Sequence, residues 1–134
     1  MENVFVDTSG WVALFVRNDI NNEKSVRLYN EIKRGKIQIY TSDYVVDETI
    51  TTIMVRGSHR ESVLAGTAIL ESKIVKIVNV FPDYFQRAWE CYQKYRDKQF
   101  SFTDVSCFCI MEDIGIDMAF SFDKGFRQAG INIM

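Results

Sequence analysis

The fold is decided by one stretch of sequence, residues 100–126, which reads FSFTDVSCFCIMEDIGIDMAFSFDKGF. The pattern predicts a helix that begins near Asp104, a short turn, and a buried strand over Met118–Phe122. Asp123 follows that strand directly. Open α/β sheets bind their ligands beyond the carboxyl ends of the strands, so an acid at this point indicates a functional site.

Two further acids occupy comparable positions in the first half of the chain. Asp7 ends the first apolar run and is followed by Thr8 and Ser9. Glu48 lies on a predicted helix that ends near residue 56, and its neighbours on that face are uncharged, which predicts a lone acid on a half-buried surface. Asp47 is adjacent, but the helical phase favours Glu48 as the residue that points inward.

Each acid also has a purely structural interpretation. Asp7 can cap the helix that follows the first strand, and the segment from Ser101 to Asp104 matches a capping box. Asp123 can belong to a turn before Lys-Gly. A solvated helix face, by contrast, fits Glu48 poorly. Single residues leave both interpretations open, and only the joint placement of the four acids indicates a carboxylate cluster.

A carboxylate cluster at the edge of a sheet predicts a divalent cation. Crowded carboxylates repel one another, which raises their pKa values unless a cation neutralises them. Mg²⁺ and Mn²⁺ prefer oxygen ligands of this kind, and either ion can activate a water to attack a phosphodiester. The hydroxyls of Thr8, Ser9 and Thr103 are expected to orient the ligands around the site.

The remaining sequence predicts alternating strands and helices. Further strands are predicted at residues 37–40, 74–80 and 131–133, and helices at residues 20–33, 59–72 and 82–95, the last opened by Pro82. Thr8 or Ser9 is predicted to cap the first helix, and Lys124–Phe126 to form a turn. Strands separated by helices imply an α/β fold with a mostly parallel central sheet and helices on both faces.

Length and composition exclude several classes of protein. The 134 residues fit a single domain over residues 1–134, and no apolar run is long enough to cross a membrane. Because a strand is predicted within the first few residues, no signal peptide is expected. The three cysteines form no disulfide framework, so reduced thiols and a cytoplasmic location are expected. The single histidine argues against a catalytic triad and a histidine-rich zinc site.

Three segments give the chain a resemblance to a known family. They are VFVDTSGWVALF at residues 4–15, TSDYVVDETIT at residues 41–51, and FSFTDVSCFCIMEDIGIDMAFSFDKGFRQAG at residues 100–130. Over its whole length the chain resembles the PIN-domain nucleases, specifically the VapC-type ribonuclease toxins of type II toxin–antitoxin systems. The last segment is the most specific, because Thr-Asp before a helix and Phe-Asp after a strand occur at the family's spacing.

This resemblance implies a fold, an activity and a set of site residues. It implies a three-layer α/β/α sandwich, cleavage of RNA with Mg²⁺ or Mn²⁺, a homodimer and a VapB-like antitoxin as partner. The family's catalytic and metal-binding acids fall on Asp7, Glu48, Asp104 and Asp123. Thr8 or Ser9, together with Thr103, matches the hydroxyls that accompany those acids.

Other functions stay open at this point. A PIN-domain nuclease can serve RNA maturation or decay instead of growth arrest, and a PIN domain can be kept as a non-catalytic module that binds metal or RNA. A receiver-like signalling domain also places an Asp at a strand end, but it requires a pair of acids after the first strand, where this chain has Thr-Ser-Gly. Basic residues near the predicted site are either phosphate contacts or solvated surface; they are Arg56, Arg60, Lys98, Lys124 and Arg127.

Overall fold

The structure, a computed structural model, describes residues 2–134 and has a five-stranded parallel sheet at its centre. The strands are β1 (Asn3–Val6), β2 (Gln38–Ser42), β3 (Val75–Val78), β4 (Met118–Phe120) and β5 (Asn132–Ile133). Their order in the sheet is β3-β2-β1-β4-β5. Phe5 pairs with Ala119 and Val6 with Phe120, so the first strand lies directly beside the fourth.

Helices connect the strands and cover the sheet. They are α1 (Thr8–Phe15), α2 (Asn22–Arg34), α3 (Asp43–Arg56), α4 (His59–Leu70), α5 (Phe85–Lys94), α6 (Phe102–Ile114) and α7 (Lys124–Gln128). Helix α1 contacts α2 and α3, and α3 packs on α4, whereas α5 packs on α6. The predicted three-layer α/β/α sandwich with a parallel central sheet is therefore confirmed.

The centre of the sheet is fully buried. Val4, Phe5 and Val6 of β1 are each at most 1% exposed, which explains why this strand reads as a continuous apolar run and not as an alternating one. Trp11 on α1 is also buried, and its indole Nε1 donates a hydrogen bond of 3.1 Å to Thr41 Oγ1. That hydroxyl in turn donates to the carbonyl oxygen of Val6, so α1, β2 and β1 are tied together beneath the carboxyl edge of the sheet.

Helix α1 approaches β4 so closely that only glycine fits at residue 10. A Cβ atom on Gly10 would lie 2.5 Å from the carbonyl oxygen of Phe120 and 2.8 Å from Cδ1 of the Phe120 ring. This close approach brings the turn after β1 against the turn after β4.

Three local predictions were wrong. Helix α1 is capped by Asp7, whose side chain accepts from the amide of Gly10, and not by Thr8 or Ser9. Helix α5 begins at Phe85 instead of Pro82, which lies in a preceding turn after a cis peptide bond. The segment after Asp123, predicted as a turn, is the short helix α7.

Two predictions from composition concerned the state of the cysteines and the lack of a membrane-spanning segment. Cys91, Cys107 and Cys109 are free thiols, as predicted. Cys107 belongs to the main core, whereas Cys109 belongs to a separate apolar cluster between α5 and α6. Between residues 2 and 134, no helix has the length and apolar character needed to cross a membrane.

Candidate active site

The topology creates a crevice at the carboxyl ends of β1 and β4. Strand β2 lies beside β1 on one edge and β4 lies beside β1 on the other edge. The strand order therefore reverses between β1 and β4. Ligands of open α/β sheets bind at such a reversal point. Asp7 follows β1 and Asp123 lies shortly after β4, and both therefore stand at this crevice.

All four predicted acids line one cavity of about 400 Å³ at the crevice. Glu48 reaches it from α3 and Asp104 from the first turn of α6. Asp47, the alternative to Glu48, is exposed and lines a neighbouring groove instead. Thr8 and Ser9 also line the cavity, whereas Thr103 lines that neighbouring groove.

Asp7 is held by hydrogen bonds to both of its carboxylate oxygens. Its Oδ1 accepts from the Ser9 hydroxyl at 2.8 Å and from the Gly10 amide at 2.9 Å. Its Oδ2 accepts from the Ser121 hydroxyl at 2.7 Å. Asp7 is only 4% exposed, and these contacts fix its buried carboxylate in one orientation.

Two serines connect the turn after β1 to the turn after β4. The Ser9 hydroxyl accepts from the Phe122 amide at 2.8 Å, and the Ser121 hydroxyl accepts from the Asp123 amide at 3.1 Å. Each serine hydroxyl therefore donates to the carboxylate of Asp7 and accepts from a backbone amide of the turn after β4. This pair of hydroxyls, which we call the serine bridge, keeps Asp7 and Asp123 at a fixed separation.

The three aspartates cap helices at the same time as they line the cavity. Asp7 caps α1, Asp123 accepts from the Gly125 amide at the start of α7, and Asp104 forms a reciprocal capping box with Ser101 at the start of α6. Helix N-termini stabilise negative charge through their free amides and dipole. The capping roles considered for Asp7 and Asp104 are therefore correct, whereas Asp123 caps a helix and not a turn, and all three roles coexist with convergence on one cavity.

Burial and the charge of neighbouring acids raise the pKa values of Asp7 and Asp104. Burial raises the pKa of Asp7 from 3.8 to about 6, against the opposing effect of its three hydrogen bonds, and the charge of Asp123 adds to the increase. Burial also raises the pKa of Asp104, and the charges of Asp123 and Glu48 contribute in the same direction. The carboxylates of the cluster therefore repel one another, and a bound cation would relieve this repulsion.

The donor set suits a hard cation, but the ligands are not gathered into a ready site. Among residues 2–134, no three histidine, cysteine or acidic side chains converge closely enough to hold one ion. One oxygen of each aspartate accepts from a backbone amide at the start of a helix: Asp7 from Gly10, Asp104 from Ser101 and Asp123 from Gly125. Thr8 Oγ1, by contrast, is a buried hydroxyl beside Asp7 that finds no hydrogen-bond partner within this part of the chain.

Some residues in and around the cavity were not predicted. Ser121, which donates to Asp7 but lines the neighbouring cavity on the β4 side, was hidden inside an apolar run, and its only signal was a lone hydroxyl before Phe-Asp. Asp19 lines the active-site cavity itself, but its Oδ2 forms a 2.9 Å ion pair with Arg56, which places a cation at the rim. Arg56 had been named as a possible phosphate contact. Asn21, Thr52, Val12 and Phe122 complete the lining.

Comparisons with known proteins agree with this geometry. The PIN domain family model matches residues 4–132. The chain is 35% identical over 127 residues to the 23S rRNA-specific endonuclease VapC20 of Mycobacterium tuberculosis, covering 95% of this chain and 94% of the relative. The crystal structure of VapC20, a sarcin-ricin loop cleaving toxin, superposes with a TM-score of 0.88 at 33% identity, covering 96% of this chain and 95% of that one. The chain therefore belongs to the PIN domain family.

Proposed function

We propose that the chain is a metal-dependent endoribonuclease of the VapC type, the toxin of a toxin–antitoxin pair, built as one domain over residues 1–134. The observation that carries this proposal is the convergence of Asp7, Glu48, Asp104 and Asp123 on one cavity at the reversal point of the sheet. Similarity to VapC20 over almost the whole chain supports it.

The proposed cofactor is Mg²⁺ or Mn²⁺, held by the four acids. The raised pKa of Asp7, the mutual repulsion of the carboxylates and the unpartnered hydroxyl of Thr8 fit a hard cation with oxygen ligands. When bound, such an ion would acidify a water and polarise a phosphate oxygen. Small rotations of Asp104 and Glu48 are expected to gather the ligands.

The chain's own residues position the reaction. The serine bridge fixes Asp7 and Asp123, so that these two acids need no reorganisation before the substrate arrives. The capping box anchors Asp104 at the start of α6. Val12 and Phe122 provide an apolar wall on the same cavity, which limits the water around the reacting phosphate.

The proposed partners follow from the relatives. Because VapC20 is a 23S rRNA-specific endonuclease, ribosomal RNA is the substrate class to test first. We also propose a VapB-like antitoxin, a cytoplasmic location and a homodimer. The dimer proposal rests on the α3–α4 surface, defined by Met54, Val55, Val63, Leu64 and Leu70, whose side chains are 45–74% exposed.

The test is cleavage of labelled single-stranded and ribosomal RNA by the purified protein with Mg²⁺ or Mn²⁺. We expect cleavage that EDTA abolishes and that Glu48→Gln reduces at least a hundredfold, on the order expected when a transition-state electrostatic contact is removed. Asp47→Asn is the matched control, because this adjacent acid is exposed and lines a different groove.

The outcomes separate a nuclease from a binding module. Equal loss in Glu48→Gln and Asp47→Asn would contradict the assigned site. A folded protein that cleaves none of these RNAs with either ion would contradict the proposed activity, and calorimetric titration with Mn²⁺ would then show whether the acids bind metal at all.

A further inference from the structure

A second cavity adjoins the candidate active site on the β4 side. It has a volume of about 340 Å³ and is lined by Lys24, Lys124 and Arg127 among other residues. Phe122 and Asp123 line both cavities, so the two spaces adjoin at these residues. We call this second space the basic groove.

The three cations of the basic groove are not neutralised by nearby acids. Lys24, Lys124 and Arg127 are all exposed, and none of them forms a salt bridge within residues 2–134. Asp123 is the only acidic side chain in the described lining of the groove. Arg56, at the opposite rim of the active-site cavity, is instead paired with Asp19.

The cations come from distant parts of the chain and meet around one ring. Lys24 lies on α2, and its Nζ is 5.9 Å from the centroid of the Phe122 ring. Lys124 and Arg127 lie on α7, which begins directly after Asp123. Because Phe122 lines both cavities, its contact with Lys24 places that cation near the boundary between the acid cluster and the basic groove.

The other flank of the active site has the opposite electrostatic character. There a groove of about 330 Å³ is lined by Tyr44, Asp47, Glu48 and three threonines, with two acids and no cation in its described lining. A polyanionic strand that crosses the acid cluster therefore has the cations of the basic groove on one side and the two acids of this groove on the other. Phosphates are attracted to the basic groove and repelled from the groove beside Asp47.

We propose that the basic groove binds the backbone phosphates of the RNA nucleotides that flank the scissile phosphodiester. Lys24, Lys124 and Arg127 contact these phosphates, while the acid cluster acts on the neighbouring one. The inference rests on the proposed ribonuclease function, and it adds a fixed path for the strand across the site. Contacts of this kind position RNA without reading its sequence.

The experiment measures binding of a labelled single-stranded RNA in an Asp104→Asn background, which prevents cleavage and retains a capping side chain. Fluorescence anisotropy at a fixed Mg²⁺ concentration gives the affinity over a series of KCl concentrations. In this background, the triple change Lys24→Gln, Lys124→Gln and Arg127→Gln is expected to weaken binding at least tenfold. The slope of log affinity against log salt is expected to become shallower by about 2, the value for three single-strand phosphate contacts.

The chain offers a control with the same change of charge. Lys33, Lys36 and Lys73 line a pocket beside the first residue of β2, at the amino end of the strands and away from the acids. Replacing these three lysines by Gln removes the same total charge and is expected to change both the affinity and the slope much less. Thermal unfolding of both triple variants checks that each one is folded.

The outcomes distinguish this inference from the proposed function. Equal weakening by the two triple variants would overturn the basic groove, because net charge alone would then explain binding. An unchanged affinity in the Lys24, Lys124 and Arg127 variant would overturn it as well. A background protein that binds no RNA overturns the basic groove, whereas the ribonuclease is tested separately by cleavage with the wild type. A wild-type protein that binds RNA through the groove without cleaving it overturns the ribonuclease, and with it the placement of the groove beside a scissile phosphodiester.

Discussion

Asp7 shows how one residue combines a structural and a chemical task at an energetic cost. Its carboxylate caps α1 and receives two serine hydroxyls, yet burial outweighs these bonds and raises its pKa to about 6. The folded chain therefore holds a charge at neutral pH that its surroundings disfavour. Sites that gather charge for a ligand commonly reduce stability in this way.

The free energy of unfolding is expected to depend on pH through Asp7. Its pKa is about 6 in the folded chain and near 3.8 in the unfolded chain, so the folded state binds more protons between these values. Stability then falls as the pH rises through this window, and the full cost is present above pH 6. In EDTA at pH 7.5, Asp7→Asn should raise the free energy of unfolding by about 2 to 3 kcal/mol.

Urea denaturation of wild type and Asp7→Asn over a pH series measures this effect. The gain should shrink as the pH falls from 6 and vanish below the unfolded pKa of 3.8, where Asp7 is protonated in both states. Asp47→Asn, which changes an exposed acid, should leave the pH profile unaltered. An Asp7→Asn protein that is no more stable than wild type at pH 7.5 would contradict the dominance of burial.

At the scale of elements, the contact between α1 and β4 depends on the absence of a side chain at residue 10. A Cβ at Gly10 would meet a backbone oxygen at 2.5 Å, and a backbone atom of a central strand cannot move aside cheaply. In an ordinary helix, replacing Gly by Ala stabilises by about 1 kcal/mol. At residue 10 the contact with β4 outweighs this gain, so the same substitution is expected to reduce stability.

Gly10→Ala is expected to destabilise the fold by about 2 kcal/mol or more, in the range of overpacked cores. Chemical denaturation measures the difference. Gly66→Ala on α4 is the control, since its Cβ would lie 3.2 Å from Cδ1 of Ile50, the far end of a side chain that can rotate. A Gly10→Ala protein as stable as the Gly66→Ala protein would contradict the close approach of α1 and β4.

The elements also show what the sequence could and could not reveal. Apolar runs and periodicity predicted all five strands and the six longer helices to within a few residues, because burial dictates these patterns. The start of α5 and the helix α7 were missed, and for α1 the sequence offered Asp7 beside Thr8 and Ser9 as the cap without deciding between them. The four acids were predicted, but the serine bridge was not, because Ser121 has meaning only through residues 114 positions away.

At the scale of the whole molecule, charge and apolar surface are separated on different faces. A net charge of −2 conceals an acidic cavity beside the basic groove. Elsewhere the α3–α4 surface exposes apolar side chains. Exposed apolar side chains on two neighbouring helices are typical of an interface, and two copies of one chain meet most often through a twofold contact of the same patch.

The dimer is therefore expected to depend on the α3–α4 surface. Multi-angle light scattering at micromolar concentration should give a dimer for the wild type, and the double change Val55→Glu and Leu64→Glu should convert it to a monomer. Phe81→Glu is the control, because Phe81 is 64% exposed but lies before α5. A monomeric wild type, or a dimer lost in Phe81→Glu alone, would contradict this assignment.

The serine bridge can form only late in the synthesis of the protein on the ribosome. Asp7 leaves the exit tunnel early, but Ser121 and Asp123 follow more than a hundred residues later. At common translation rates this interval is on the order of ten seconds, during which β1 has no neighbour on its β4 side. The site that Asp7 and Asp123 share is thus completed among the last events of synthesis, and the four acids can converge only when nearly the whole domain has emerged.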